Sequence, residues 1–412
     1  MPGPGRDLIG DEEIAAAVDV LRSGYLYRYG PDDDPAFKAY VRQLEERVAE
    51  WTGVRYALAT SSGTSSLWIS VVALGVGSGD EVIVPGFTFI ASISSIVYAR
   101  ATPVLAEVDA TLNLDPADVE ARITPRTRAI MAVHMLGNPA RIDQLRAIAD
   151  RHGLALIEDC AQAFGASYGD KKVGSFGTIG GMSFNEYKTI TAGDGGMVVT
   201  DDEALYRRAF ALHDQGHSPL RKGVEVGERP FLGLNFRMIE LAGAVILAQM
   251  GKLDRILSTL RRNRDRMQEL IADLPGLSFR ELPDPKGDIA THLVVIFPTS
   301  EIARAVAADL GTKLLDDSGW HVYTKMEHLQ TKRMPTDRGC PFQCTCHGAS
   351  DQDYSPGSLP QTDDILSRAM TIGIGVSDRN LGSAWGIGLG DGEPEIQARA
   401  AQFREAAERH LD

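Results

Sequence analysis

Lys188 lies in the stretch Ser183-Phe184-Asn185-Glu186-Tyr187-Lys188, which runs on into the glycine-rich turn Gly193-Asp194-Gly195-Gly196. Upstream, Glu158-Asp159-Cys160-Ala161-Gln162 closes the apolar run Leu154-Ala155-Leu156-Ile157. A third polar cluster, Ser61-Ser62-Gly63-Thr64-Ser65, follows Tyr56-Ala57-Leu58-Ala59-Thr60. An amine, a strand-end carboxylate and a hydroxyl- and glycine-rich turn are what pyridoxal 5'-phosphate (PLP) requires. The amine forms a Schiff base and the carboxylate faces the pyridinium nitrogen. The turn offers N–H and O–H groups to the phosphate.

Each residue also has an ordinary reading. Asp159 has the position of a helix cap after a strand, and Lys188 taken alone is a loop lysine. The Ser61–Ser65 cluster is what many helix starts look like. Phe89, in Pro85-Gly86-Phe87-Thr88-Phe89, is read as a ring stacked on the cofactor, against a core aromatic. Gln162, three residues past Asp159, is read as a partner of the cofactor's 3' oxygen, against a solvated helix-face glutamine. Gly63, Thr64 and Ser183 are the phosphate candidates. A desolvated lysine amine is available at neutral pH and can shuttle a proton once released.

These groups need a scaffold, and the pattern supplies one. Apolar runs at 56–60, 81–84, 103–106, 129–133 and 154–157 alternate with helical patterns at 64–76, 91–99 and 142–152. That alternation predicts a mostly parallel sheet covered by helices, with ligands at the carboxyl ends of its strands. A helical stretch from Ile239 to Leu270 breaks near Gly251. Beyond it, strands at 279–281 and 292–297 and helices at 301–310 and 394–410 predict a smaller α+β domain. We read 36–250 as the large PLP-binding domain, with 1–35 and 251–412 forming the small one. Met334 to Gln361, rich in Pro, Gly, Cys and polar residues, reads as a long loop.

Taken in order, Gly63-Thr64, Thr88-Phe89, Glu158-Asp159…Gln162, Ser183-Phe184…Lys188…Gly193-Asp194-Gly195-Gly196 and Gly233-Leu234-Asn235-Phe236-Arg237-Met238 resemble the DegT/StrS family of sugar aminotransferases. The resemblance implies the aspartate aminotransferase fold (fold type I of the PLP-dependent transferases) and a homodimer with shared active sites. It implies amino-group transfer from glutamate or glutamine to a keto-sugar, nucleotide-linked sugar, sugar acid or cyclitol ketone, in amino-sugar biosynthesis and secondary metabolism. By position it makes Lys188 the Schiff-base lysine of a ping-pong reaction, Asp159 the pyridinium partner, Gln162 the O3' contact and Phe89 the stacking ring. Gly63, Thr64 and Ser183 become phosphate ligands, and Asn235 reaches the cofactor of the neighbouring subunit. The segments around Val133-His134-Met135, Gly216-His217 and Pro283–Asp288 are similar to the branch that aminates an eight-carbon keto-sugar acid. Asp194 stands where the family usually has Glu, and Cys160 where it has Ala. Tyr187, Arg237, His217, Tyr323 and Arg28 are candidate substrate contacts, each with a structural role as the alternative.

Composition narrows the rest. The chain has 412 residues and a formal net charge of -14, which disfavours nucleic acid as a partner. Its first residues lack a signal-peptide layout and no apolar stretch is long enough for a bilayer, so we expect a cytoplasmic protein without a membrane partner. Its four cysteines do not form a disulfide framework. Cys340, Cys344, Cys346 and His347 crowd together, but Cys-x3-Cys-x-Cys-His is not a standard zinc spacing. The expectation is a reduced loop without metal. Two other functions stay open: a PLP enzyme of different outcome, such as a dehydratase or cyclase, and a non-catalytic regulator. The dehydratase branch carries histidine at the lysine position, so Lys188 speaks against it. A regulator would be expected to have lost Lys188 or Asp159.

Overall fold

The computed structural model describes residues 3–219, 229–336, 339–348 and 350–411. Its centre is a seven-stranded sheet built from β1 (Tyr56–Thr60), β2 (Glu81–Pro85), β3 (Thr102–Ala106), β4 (Thr127–Val133), β5 (Ala155–Asp159), β8 (Ile179–Ser183) and β9 (Gly196–Thr200). A two-stranded ribbon, β6 (Ser167–Tyr168) and β7 (Lys171–Lys172), leaves the sheet between β5 and β8. The sheet order is β1-β9-β8-β5-β4-β2-β3, and β9 alone runs against its neighbours. The inner strands are largely buried and mainly apolar because helices cover both faces, as a mostly parallel sheet requires.

Successive residues of β5 serve opposite faces. Ile157 packs with the helices Gly63–Ala73 and Ile90–Tyr98, whereas Leu156 packs with the helix Ile142–His152. Asp159 therefore shares the first face and Glu158 the second. Glu158 is fully buried and saturated by donors. It accepts from the backbone N–H groups of Gly174 (2.8 Å), Phe176 (2.7 Å) and Gly177, and from His134 Nε2 at 3.1 Å. His134 Nδ1 accepts from Ala140 N, so its proton sits on Nε2. The carboxylate thus pins the 174–177 turn beneath β5. Gly181 of β8 lets the Gly63–Ala73 helix approach closely: a Cβ there would lie 2.9 Å from Leu67 Cδ2 and Ser66 Oγ.

A second sheet follows, ordered β10 (Ser278–Phe279), β11 (His292–Ile296), β12 (Ala369–Ile374) and β13 (Gly386–Ile387). The amphipathic helix Leu253–Ile271 packs on it with the helix Glu393–Glu408, through Leu260, Met267 and Phe403. The run at 279–281 is shorter as a strand than its sequence suggests. Arg280 turns inward to donate to Met135 O (3.0 Å), and Glu281 N pairs with Ala110 O. Among the described residues, no helix is long and apolar enough to cross a membrane. The loop before the helix Pro360–Arg368 departs from the expectation of reduced thiols. A turn closed by Gln343 N to Gly339 O (2.8 Å) brings Cys340 and Cys344 together, and they form a disulfide.

We predict that Glu158→Gln destabilises the chain by about 2–4 kcal/mol, because the amide presents a donor to N–H groups already aimed at an acceptor. Urea unfolding followed by circular dichroism measures this; an unchanged midpoint would show that the 174–177 turn stands without the carboxylate.

Candidate active site

A cavity of about 520 Å³ opens at the carboxyl ends of β5 and β8, between the two sheets. Asp159 lies at its floor, 4% exposed. Its Oδ2 accepts from Ser92 Oγ at 2.7 Å and its Oδ1 from Ala161 N at 3.0 Å. Thr88 Oγ1 lies 2.6 Å from Ser92 Oγ and holds that hydroxyl in place. Burial pushes the Asp159 carboxyl up, while Ser92, the Ala161 N–H, Lys188 and His134 pull it back. Burial pushes the Lys188 amine down, opposed by Asp159 and Asp378. Each charge is disfavoured by the cavity and sustained by the other.

Lys188 reaches the cavity from the turn after β8, where its N–H donates to Asn185 O at 2.9 Å. The neighbouring wall is the start of the Gly63–Ala73 helix. Ser62 caps it, accepting from Ser65 N at 3.1 Å. The first-turn N–H groups of such a helix and its dipole favour an anion. Gly63 sits against Ser183, and a Cβ there would lie 2.6 Å from Ser183 Cβ. Gln162 also lines the cavity. Its Oε1 accepts from Leu136 N at 2.9 Å, which fixes the amide so that the NH2 end is available to a ligand. Phe89, 41% exposed, stands at the rim with its ring 5.3 Å from that of His321.

The scan against protein-family models matches residues 7–377 to the DegT/DnrJ/EryC1/StrS aminotransferase family. The chain belongs to that family. Among similar proteins, an L-glutamine:2-deoxy-scyllo-inosose aminotransferase of Micromonospora echinospora is 36% identical over 388 residues, 90% of this chain and 87% of the relative. A GDP-perosamine synthase of Caulobacter vibrioides is 43% identical over 224 residues, 54% of this chain and 59% of the relative. A crystal structure of 3-amino-5-hydroxybenzoic acid synthase superposes with a TM-score of 0.79 at 29% identity, covering 97% of each chain. This member of the DegT/StrS family is thus a PLP-dependent aminotransferase of keto-sugar or cyclitol chemistry with the PLP-aminotransferase fold.

The cavity suits that cofactor: a buried carboxylate on the floor, a desolvated amine in the wall and a helix N-terminus for the phosphate. Tyr187 lines it as well, 44% exposed. The other sequence candidates lie elsewhere in the single chain. Tyr323 is fully buried, donating to Asp363 Oδ2 (2.9 Å) and accepting from Leu359 N (3.1 Å). Arg28 is paired with Glu45 at 3.0 Å and lies 3.1 Å from His213, in a buried clamp between the helix Tyr40–Thr52 and β1. Both residues therefore hold structure and do not line the cavity. Arg237 is ion-paired with Asp214, and Asn235 and His217 flank that pair outside the cavity. The segment nevertheless runs beside the helix start, with Phe236 O accepting from Ser61 N at 2.7 Å.

Cavity residues that escaped the sequence reading include Ser92, His292, Trp320, His321 and Asp378. Burial holds His292 and His321 neutral, each down to about 3. His292 opens a strand that was recognised, but nothing in its neighbours marks it. Ser92 lies in a recognised helix, where only the fold turns it toward Asp159.

We predict that Asp159→Asn slows the half-reaction with the amino donor by roughly 10²-fold or more while the cofactor stays bound, because the neutral amide no longer sustains a protonated ring nitrogen. Stopped-flow spectroscopy of the holoenzyme checks this, and near-normal rates would make the carboxylate structural.

Proposed function

We propose that the chain transfers an amino group from glutamine or glutamate to the ketone of a polyhydroxylated ring, with a cyclitol ketone as the acceptor class to test first. Lys188 across the cavity from Asp159 carries the reading. PLP, when bound, supplies an electron sink for the carbon losing or gaining its proton. The chain supplies the rest. Asp159, steered by Ser92, keeps negative charge under the ring nitrogen. Phe89 offers a face at the rim, and Gln162 a donor to the ring oxygen. Gly63, Thr64 and Ser183 receive the phosphate. Lys188, whose charged form desolvation disfavours, takes and returns the proton at the reacting carbon. The choice of acceptor is supported by the inosose aminotransferase, which is similar over nine-tenths of this chain. The nucleotide-sugar relative matches about half of it. The sugar-acid reading from Pro283–Asp288 has a structural explanation as well: Asp288 is buried there and binds Arg264 at 2.6 Å.

The proposal includes a twofold dimer in which Asn235 completes the neighbour's site. Asn235 lies outside its own cavity, on a segment whose apolar side chains are bare: Leu232 is 98% exposed, Leu234 54% and Ile239 53%. Leu26 and Tyr27, also about half exposed, adjoin it through Glu240 N to Leu26 O and Arg237 over the Tyr27 ring. An apolar patch of this kind is what a subunit interface covers.

Purified holoenzyme with glutamine should aminate an inosose-type ketone, and Lys188→Ala should lose both turnover and the near-ultraviolet-to-blue cofactor band while staying folded. Mass spectrometry of the product, with a keto-sugar acid and a nucleotide-linked keto-sugar alongside, reads the acceptor. Wild-type turnover by the Lys188 variant would sink the assignment, and amination of the nucleotide sugar alone would replace the acceptor class.

Sharing of sites has its own measurement. Co-expressed Lys188→Ala and Asn235→Ala chains, mixing at random, give about half mixed dimers with one intact site each, so about a quarter of all sites recover. Activity at limiting PLP, where Asn235→Ala alone is first shown to be impaired, reads the recovery. No gain over the summed single variants would place Asn235 in its own subunit's site.

A further inference from the structure

The long loop before the helix Pro360–Arg368 holds a cluster that aminotransfer does not use. Three sulfur atoms, from Cys340, Cys344 and Cys346, lie within 4.8 Å of one another. The disulfide accounts for two of them. It does not account for the third. Cys346 Sγ lies 3.4 Å from Cys344 Sγ and 3.9 Å from Cys340 Sγ. Tetrahedral zinc with bonds to sulfur of about 2.3 Å sets sulfur–sulfur edges of about 3.8 Å. Both edges from Cys346 are therefore close to those of a zinc-thiolate face, and breaking the Cys340–Cys344 bond frees the third edge.

The surroundings fit a small soft cation. Cys340 and Cys344 are buried, 3% and 7% exposed, whereas Cys346 faces solvent. A hollow of about 130 Å³ beside the cluster is lined by Cys340, Cys344 and His347, with the imidazole lying over Gly79. Between Gln330 and Pro360 no helix or strand occurs among the described residues. Apolar anchors of this stretch include Phe342, Tyr354 and Leu359, with Tyr354 donating to Pro103 O at 2.8 Å. A loop without helix or strand of its own gains from a metal or disulfide staple.

We propose that in the reduced chain Cys340, Cys344 and Cys346 bind one zinc-class divalent cation as thiolates, with the fourth position toward solvent on the His347 side. The step balances. The disulfide is reduced to two thiols either by a dithiol, which gives two electrons and two protons and becomes a disulfide, or by a phosphine and water, the phosphine giving two electrons and leaving as its oxide while water supplies the two protons. Metal binding then releases three protons as three thiolates form. The disulfide and the metal are two alternative closures of one loop. This site stands independently of the aminotransferase reading.

The test uses the full-length holoenzyme, reduced with a phosphine under nitrogen, incubated with zinc chloride and desalted. Elemental analysis should find about one zinc per chain. The three loop thiols should resist a thiol reagent until a chelator is added. Cobalt(II) in place of zinc should give intense bands in the red, the signature of tetrahedral thiolate ligation. Changing all three cysteines to serine should reduce retained zinc to about none, and Cys346→Ser, at an exposed position, should do the same if the triple variant fails to fold. Cys160→Ala, elsewhere in the chain, should retain the metal. Two results would overturn the proposal: a reduced chain whose loop thiols all react freely and which keeps no zinc, or zinc retained undiminished by the serine variants.

Discussion

Everything near the cavity depends on a pair of charges that burial opposes. Desolvation alone would neutralise both Asp159 and Lys188. The fold answers with two hydrogen bonds to Asp159 and the opposing charge of Lys188, brought together only where three elements meet. Ser92 reaches Asp159 from the Ile90–Tyr98 helix, the Ala161 N–H comes from the turn after β5, and Lys188 arrives from the turn after β8. None of these is close to the others in sequence, so the sheet order is what makes the chemistry available.

The strand alternation of β5 divides the work between two adjacent carboxylates. Asp159 points to the face that carries the cavity. Glu158, one residue earlier, points to the opposite face and accepts three backbone N–H groups and His134. The first carboxylate is available to a ligand because the second anchors the turn that follows the ribbon. A one-residue slip of β5 would exchange the two roles, which is why the register Val133↔Asp159↔Gly181 matters beyond packing.

Much of this was legible in the sequence because the large sheet is written in continuous apolar runs. The strand at 56–60 and the helix at 142–152 have the extents their patterns predict. The site was legible where a residue sits beside a breaker: Lys188 before its glycine turn, Asp159 at a strand end, Gly63 between a strand and a helix. What escaped depends on long-range approach. Ser92 is an unremarkable helix serine until β5 is placed beneath it, and His292 and His321 come from segments far along the chain. Conversely, Arg28 and Tyr323 looked like ligand-binding side chains because Arg and Tyr often are. Only the fold shows their polar ends already occupied by Glu45 and Asp363. The disulfide, too, depends on a turn at 339–343 that no periodicity marks.

The site that one chain presents is uneven. Its floor and one wall are finished: the carboxylate is hydrogen-bonded, the helix is capped and Gln162 is fixed by Leu136. Its outer side is not. Phe89 and Tyr187 stand at the rim, about two-fifths exposed, and the segment carrying Asn235 and Arg237 presents bare leucines to solvent. The finished half consists of groups that would hold the cofactor, which any member of the family must bind. The unfinished half holds the rim residues Phe89 and Tyr187 and the exposed segment beside the helix start. If a second copy covers the bare leucines, it also covers that open side, and the completed site becomes a property of the interface as much as of the fold. Substitutions along 232–239 would then change cofactor retention and subunit association together, whereas substitutions around Asp159 would change only the chemistry.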